Sequence, residues 1–455
     1  MSDLLAARAQ MAMSLGFHIL FAIVGMAMPL FMVIAEAIWQ RTGDPVALDL
    51  ARRWSKGTAI LFAVGAVSGT ALSFELGLLW PEFMRHAGPV IGMPFSLEGL
   101  AFFLEAIFLG IWLYGWERIS PRLHLLAGAG VWVCGMASGA FVVCANAWMN
   151  TPAGFRFDNG MVHDVQPWVA MWNPAAGAEV LHMLIAALEA VGFAVAGIHA
   201  FVLLRQRRDR MHRLAFAIAL AVGGVAAIVQ PMSGHHSAVH VAEHQPVKLA
   251  AMEAHFRTAR GVGLRVGGWP DEDTAEVHAS LEIPYALSML AFFDPNAEVK
   301  GLLDVPRDEW PPVAVVHVAF QIMVGCGSLL MLVALIAALL AWRRRGIPDD
   351  RRLLWAVVLC GPLGVVAVEA GWTVTEVGRQ PWIVHGVLRT ADAVTPMPGL
   401  VVPFAVFSLL YCALGLAAVG LLRRHVFATT HVLAGAGGPP AAQPGPRVPA
   451  EADHG

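Results

Sequence analysis

Three pairs of ionisable residues stand seven apart in this chain: Glu98 and Glu105, His182 and Glu189, Glu369 and Glu376. Seven residues make two helical turns, so each pair falls near one face of a helix, ~10 Å apart along its axis. Carboxylates spaced in this way suit a proton relay through intervening waters. His18, His182 and Met323 bring imidazole and thioether groups, the axial ligands of haem iron, and a His/Met pair fills both axial positions of an electron-transfer haem. Composition does not separate Met323 from the 19 other methionines. A lone methionine in an apolar helix is ordinarily packing, and a lone histidine or glutamate there ordinarily bonds a neighbouring helix.

The elements that must position these groups are membrane helices. The 455 residues are 57% hydrophobic and 14% charged, with mean hydropathy +0.63, against roughly 25% charged in soluble domains. Apolar stretches long enough to cross ~30 Å of hydrocarbon fall at 14–39, 58–80, 96–116, 125–148, 178–204, 214–232, 313–342, 353–374 and 400–422. The odd-numbered short connections carry 16 Lys and Arg and the even-numbered ones 4. By the positive-inside rule the N-terminus is outside and the C-terminus cytoplasmic. The fold class is therefore an all-α integral membrane bundle of about nine helices. Its first six spans lie within 1–232, an outer connection covers 233–312, and spans seven to nine occupy 313–424. The Gly-, Pro- and Ala-rich stretch 425–455 is expected to be a disordered cytoplasmic tail. In this arrangement His18, Glu75, Glu98, Glu179, His182, Met323 and Glu376 all fall in the outer half of one bundle, where ionisable groups are costly and mark function.

Other classes are excluded. A net charge of −3 gives no basic field for nucleic acid. The five cysteines lie in apolar runs without C-x-x-C spacing, which argues against disulfides, thiolate metal sites and iron–sulfur clusters. H-E-x-x-H is absent, and the N-terminus lacks a signal-peptide cleavage site before its first apolar run. His236, His240 and His244 would form one stripe if helical, a metal clamp in principle, against the plainer reading of a solvated loop entry. The cationic runs 205–213 and 343–345 read as membrane-surface anchors.

The stretches S-L-E-G-L-A-F-F-L-E-A-I-F-L-G-I-W-L-Y-G-W at 96–116, A-N-A-W-M-N-T-P at 145–152 and E-V-G-R-Q-P-W at 376–382 form a recognisable series. With these motifs in order, the chain from about Met11 to Arg424 resembles subunit I of cytochrome bd-type quinol oxidases. The brevity of the sixth connection resembles the short-loop branch, which includes cyanide-insensitive oxidases.

That resemblance implies a copper-free quinol:oxygen oxidoreductase of the bacterial cytoplasmic membrane. Its cofactors would be a low-spin haem b, a high-spin haem b and a haem d, or a third haem b. Its partners would be a smaller integral subunit II, quinol, oxygen and the lipid bilayer. His182 in E-V-L-H-M and Met323 in Q-I-M-V-G-C-G match the low-spin ligands. His18 in G-F-H-I-L and Glu376 match ligands of the two high-spin haems, in an order the sequence leaves open. Glu98 matches a carboxylate beside that pair, Glu105 a proton-relay carboxylate, and Trp372 and Arg379 haem-pocket residues. Lys248 and Glu253 in K-L-A-A-M-E match quinol-interacting residues, with Lys248 expected to stabilise the proton acceptor Glu253. Better-known members carry Arg where this chain has Gln321, two positions before Met323. The missing cation implies a lower low-spin potential unless another cation compensates. Quinol protons would leave outside and protons for water would enter from the cytoplasm, building a proton-motive force without a pump. Two rivals stand beside this reading: a haem-containing quinol dehydrogenase that does not reduce oxygen, and a haem-free ion-coupled transporter.

Overall fold

The computed structural model describes residues 1–158 and 160–427. The chain builds α1 (Asp3–Thr42), α2 (Pro45–Leu79), α3 (Pro81–Tyr114), α4 (Pro121–Asn150), α5 (Pro167–Met171), α6 (Ala176–Leu203) and α7 (Arg210–His244). It continues with α8 (Pro246–Met252), α9 (Ala286–Phe292), α10 (Val313–Arg344), α11 (Arg351–Cys360), α12 (Leu363–Val377), α13 (Thr390–Ala393) and α14 (Val401–Leu422). Among the described residues, nine helical segments are long and apolar enough to cross a membrane, α11 and α12 counting as one. These nine are the nine expected spans, but the helices outrun them. At 1.5 Å per residue the 40 residues of α1 reach ~60 Å, twice the hydrocarbon thickness.

Local chemistry sets the helix ends. Ser2 accepts from Leu5 N, Asp44 from Val46 N and Ser120 from Leu123 N, each satisfying an amide the helix start leaves free. Proline follows at the first helical position of α2 and α4, where its missing N–H costs nothing. Gly43, with φ 71°, closes α1 and lets the chain reverse within three residues.

Small residues decide how closely the helices approach. A Cβ added at Gly192 of α6 would lie 2.4 Å from Gly223 Cα of α7, and one at Gly364 of α12 would lie 2.5 Å from Ala190 Cα of α6. Phe31, Trp112, Phe193 and Phe216 are buried in the same core cluster. The eighth span is broken between α11 and α12 at Gly361 and Pro362, because the proline cannot continue the helical bonding and Gly361 packs on Gly197.

The sixth connection differs from expectation in where it begins: α7 stays helical to His244, so the connection runs from residue 245, not 233. Three short antiparallel pairings, each a separate two-stranded piece, are nested along it as an interrupted ladder, Ala259 opposite Val299, Leu264 opposite Ile283 and Trp269 opposite His278, with α9 inserted on the return. Leu249, Met252, Val262, Leu287 and Val299 pack it onto Val241, Val316 and Val374. Glu272 reaches from it to accept from Val313 N at 2.9 Å, capping α10. The expected tail lies outside the described residues from 428 onward.

Candidate functional site

Two of the sequence motifs meet at the end of the bundle that carries this ladder. Asn146 and Asn150 lie four apart, one turn along a face of α4. Asn146 donates through its amide to Glu376 Oε1, while Arg379 Nη2 donates to Glu376 Oε2 at 2.5 Å. Lys248 Nζ donates to Asn150 Oδ1 at 2.5 Å and lays its stem on Gly378. Lys248 and Arg379 are both buried. Burial pushes the Lys248 ammonium down from its ordinary range, against the pull of Glu179. His385 is likewise lowered by burial, then by Lys248 and Arg379. A cavity of about 90 Å³ opens beside these groups, lined among others by Gln245, Lys248, Glu309, Arg379, Trp382 and His385.

Deeper in the bundle the two candidate histidines share one arrangement. Ser68 Oγ donates to the Gly65 carbonyl at 3.0 Å. Having given its only hydrogen, it accepts from His18 Nδ1, 3.0 Å away. Ser233 Oγ donates to the Gln230 carbonyl at 2.9 Å and accepts from His182 Nδ1 at 3.1 Å. For His18 this sets the proton on Nδ1 and leaves Nε2 with the lone pair a metal takes; His182 has in addition the Gln230 amide nitrogen 3.2 Å from Nδ1 and 3.4 Å from Nε2. Glycine lies against three of the four candidate axial ligands. An added Cβ would stand 2.9 Å from His18 Cε1 at Gly69, 3.3 Å from His182 Cε1 at Gly234, and 3.0 Å from Met323 Sδ at Gly371. Arg379 Nε and Nη1 and Trp372 Nε1 are buried without hydrogen-bond partners, although buried donors are ordinarily paired. Imidazole and thioether ligands seated against glycines, together with spare buried donors, fit a flat metal macrocycle that carries carboxylates.

The remaining candidates are distributed as follows. Glu98 stands well inside α3, not at its start, and accepts from Ser138 at 3.1 Å. Glu105 is buried between Gly25 of α1 and Gly135 of α4. Glu369 abuts Gly16 of α1. Lys248 and Glu253 do not form the pair the sequence suggested. Five residues apart on a helical turn they face different ways: Lys248 bonds Asn150, and the cation acting on Glu253 is Arg265. Arg265 donates to Ala254 O at 2.8 Å, and its own carbonyl is held by Gln321 Nε2 at 3.1 Å. Gln321 Oε1 accepts from Gly267 N, so the residue anchors the ladder, and the ladder in turn brings a cation to this region. Burial lifts Glu253 to about 7, with Arg265 opposing.

Sequence reasoning passed over Asn146, Asn150, Ser68, Ser233 and Arg265 as site residues. The two asparagines one turn apart inside an apolar run were the available signal; the serines and Arg265 gave none. His236, His240 and His244 do lie on helix α7, and the rings of His240 and His244 stack at 4.2 Å. Among the described residues, however, no group of three His, Cys, Asp or Glu side chains is placed to hold a metal.

Comparison with known proteins agrees with the motifs. The family described as cytochrome bd terminal oxidase subunit I matches residues 6–429. A Bacillus subtilis (strain 168) protein, provisionally named a cytochrome bd menaquinol oxidase subunit I, is 38% identical over 93% of this chain and 96% of its own. A cytochrome bd ubiquinol oxidase subunit 1 of the same strain is 32% identical over 94% of each chain. A solved chain of the bd oxidase from Geobacillus thermodenitrificans superposes with TM-score 0.87 at 40% identity, covering 93% of this chain and 98% of that one. A match of this length, with the motifs meeting in space, places the chain in the cytochrome bd terminal oxidase subunit I family.

Proposed function

We propose that this chain is the haem-bearing, quinol-oxidising subunit of a terminal respiratory oxidase in a bacterial cytoplasmic membrane, working with a second, smaller integral subunit. The observation that carries the reading is the pair of histidines within the bundle, each held at Nδ1 by a serine and each seated against a glycine that leaves room for the ring. His182 and Met323 would hold a low-spin haem b. His18 and Glu376 would hold the two high-spin haems, one of type b and the other of type d or b, with Glu98 beside them and Arg379 and Trp372 offering donors to their edges. The bound haems would supply electron transfer and an iron with an open position for oxygen.

The chain's own residues would handle the protons. Two quinols give four electrons and four protons, and one oxygen takes four of each to make two waters. Glu253, near neutral in its proton affinity and next to Arg265, accepts a proton from the quinol hydroxyl. Lys248 and the small cavity beside it lie on the same side of the bundle. Segment 245–312 forms the outer quinol-binding region, with the N-terminus outside and the C-terminus inside as the Lys and Arg distribution indicates. Quinol protons then leave outward, and those for water come from the opposite side. This separates charge without a pump.

The test is a reduced-minus-oxidised and carbon monoxide difference spectrum of membranes containing this chain with its partner, repeated for His18→Ala and His182→Ala. Loss of carbon monoxide binding in the first and of the low-spin band in the second is the expected result. A colourless wild type would favour a transporter, and low-spin bands without carbon monoxide binding a quinol dehydrogenase.

A further inference from the structure

A buried acid–base pair lies at the end of the bundle away from the ladder, outside the candidate haem and quinol residues. Glu36 of α1 and His124 of α4 are 0% and 2% exposed. His124 Nδ1 lies 2.8 Å from Glu36 Oε1, and its Nε2 lies 2.9 Å from the Trp112 carbonyl of α3. Gln40 Nε2 donates to the same carboxylate oxygen and to the Pro121 carbonyl, both at 2.7 Å, joining the end of α1 to the start of α4. Three helices are stitched together here by polar groups, although an apolar contact of the same volume is often equally stable or better.

The pair stands in line with the carboxylates above it. On α3, Glu98, Glu105 and Trp112 follow at intervals of seven, on nearly one face. On α4, Ser138 bonds Glu98, Gly135 lies against Glu105, Gly128 lies against the Trp112 ring, and His124 bonds the Trp112 carbonyl. On α1, Gly25 lies against Glu105, and Glu36 follows eleven residues later, three turns or ~16 Å down the same helix. The contacts thus descend in order from Glu98 through Glu105 and Trp112 to Glu36 and His124. Two buried polar atoms on these faces, Glu36 Oε2 and Trp112 Nε1, have no hydrogen-bond partner, which is where bound water completes a network. Outside the pair, the aqueous end carries Arg52 over the Trp116 ring at 5.2 Å and its ion pair with Glu117, while Trp116 and Trp112 flank the His124 ring.

The geometry points to Glu36–His124 as the proton-loading station at the foot of the α1/α3/α4 interface, receiving protons from the aqueous phase at that end and passing them towards Glu105. The chemistry of the contacts gives the point of exchange. His124 Nε2 keeps its proton against the Trp112 carbonyl, a far weaker base than a carboxylate, so Nδ1 is the ring atom that exchanges a proton, and it faces Glu36 Oε1. A proton from the aqueous end therefore enters at Glu36 Oε2, the carboxylate oxygen free of protein partners, is shared with Nδ1 across the short contact, and leaves from Oε2 through water towards the Glu105 carboxylate. No bond other than O–H and N–H is made or broken, and no electron moves at the pair.

The inference rests on the oxidase reading, and the experiment separates the two. The oxidase with both subunits, carrying Glu36→Gln, His124→Asn or Glu36→Asp, is placed in vesicles. The reduced enzyme, inhibited with carbon monoxide, is flashed in the presence of oxygen, and the charge movement of proton uptake is followed beside the haem spectrum. The expected result is wild-type haem bands and carbon monoxide recombination, with uptake slowed about tenfold or more in Glu36→Gln and His124→Asn and partly restored in Glu36→Asp. Uptake at the wild-type rate in either slow-predicted variant overturns the inference, as does loss of haem bands in both, which would make the pair structural. A wild-type enzyme that fails to reduce oxygen with quinol overturns the oxidase reading itself.

Discussion

Replacing Arg265 by glutamine tests the assignment of Glu253 as the quinol's proton acceptor. Burial raises the Glu253 carboxyl from 4.5 to about 7, and Arg265 holds it from going higher. A shift of about 2.5 units corresponds to about 3 kcal/mol against the anion. The side chain is only 4% exposed, so solvent screening takes little from that figure. Glu253 accepts a proton only as the anion, so kcat/KM for quinol should rise as pH climbs through about 7 and fall below it. Glutamine at 265 removes the cation while its amide still reaches for the Ala254 carbonyl that Arg265 now bonds. Without the cation the carboxyl moves further up, by roughly one unit. The rising limb shifts to higher pH, with about tenfold less activity at pH ~6 and convergence with the wild type at pH ~9. Glu253→Gln abolishes the limb. It should also stabilise the fold at alkaline pH, because a group whose folded value is raised favours folding fully below its unfolded value and loses that favour as pH rises through the folded one. The assay is steady-state quinol oxidation by the two-subunit enzyme from pH ~5.5 to ~9.5, with thermal unfolding at pH ~8. Superimposable profiles for Arg265→Gln and wild type, or a retained limb in Glu253→Gln, would refute the reasoning.

Two further outcomes follow from the contacts. Asn146→Leu leaves Glu376 with Arg379 as its remaining side-chain donor, a loss of about 1.5–3 kcal/mol of hydrogen bonding to a charged group; high-spin haem absorption should change with the low-spin band intact, and an unaltered spectrum would detach Asn146 from the site. Gly371→Ala places a Cβ 3.0 Å from Met323 Sδ and Gly69→Ala one 2.9 Å from His18. The first should weaken the low-spin band and the second carbon monoxide binding, and the opposite pairing of effects would reverse the ligand assignment.

The nine spans, their order and the exclusion of soluble classes were legible in the sequence, because hydrophobic length is a property of the chain itself and the bilayer admits few alternatives. The seven-residue spacing of Glu98, Glu105, Glu369 and Glu376 was legible for the same reason, since helical geometry fixes which residues share a face. The motifs around Asn146 and Glu376 marked a family before any contact was known. What the sequence could not show was which cation serves which acid. Lys248 is near Glu253 in sequence but is turned towards Asn150, whereas Arg265 reaches Glu253 only because the nested ladder folds back onto α10. The serines that orient His18 and His182 lie 50 and 51 residues away. Glu36 and His124 lie 88 apart and meet only where α1 crosses α4. Such pairings depend on how helices cross, and Gly192 and Gly364 set part of that, because a Cβ at either would collide with the backbone it faces. Periodicity gives the face of each helix; packing alone decides what that face meets.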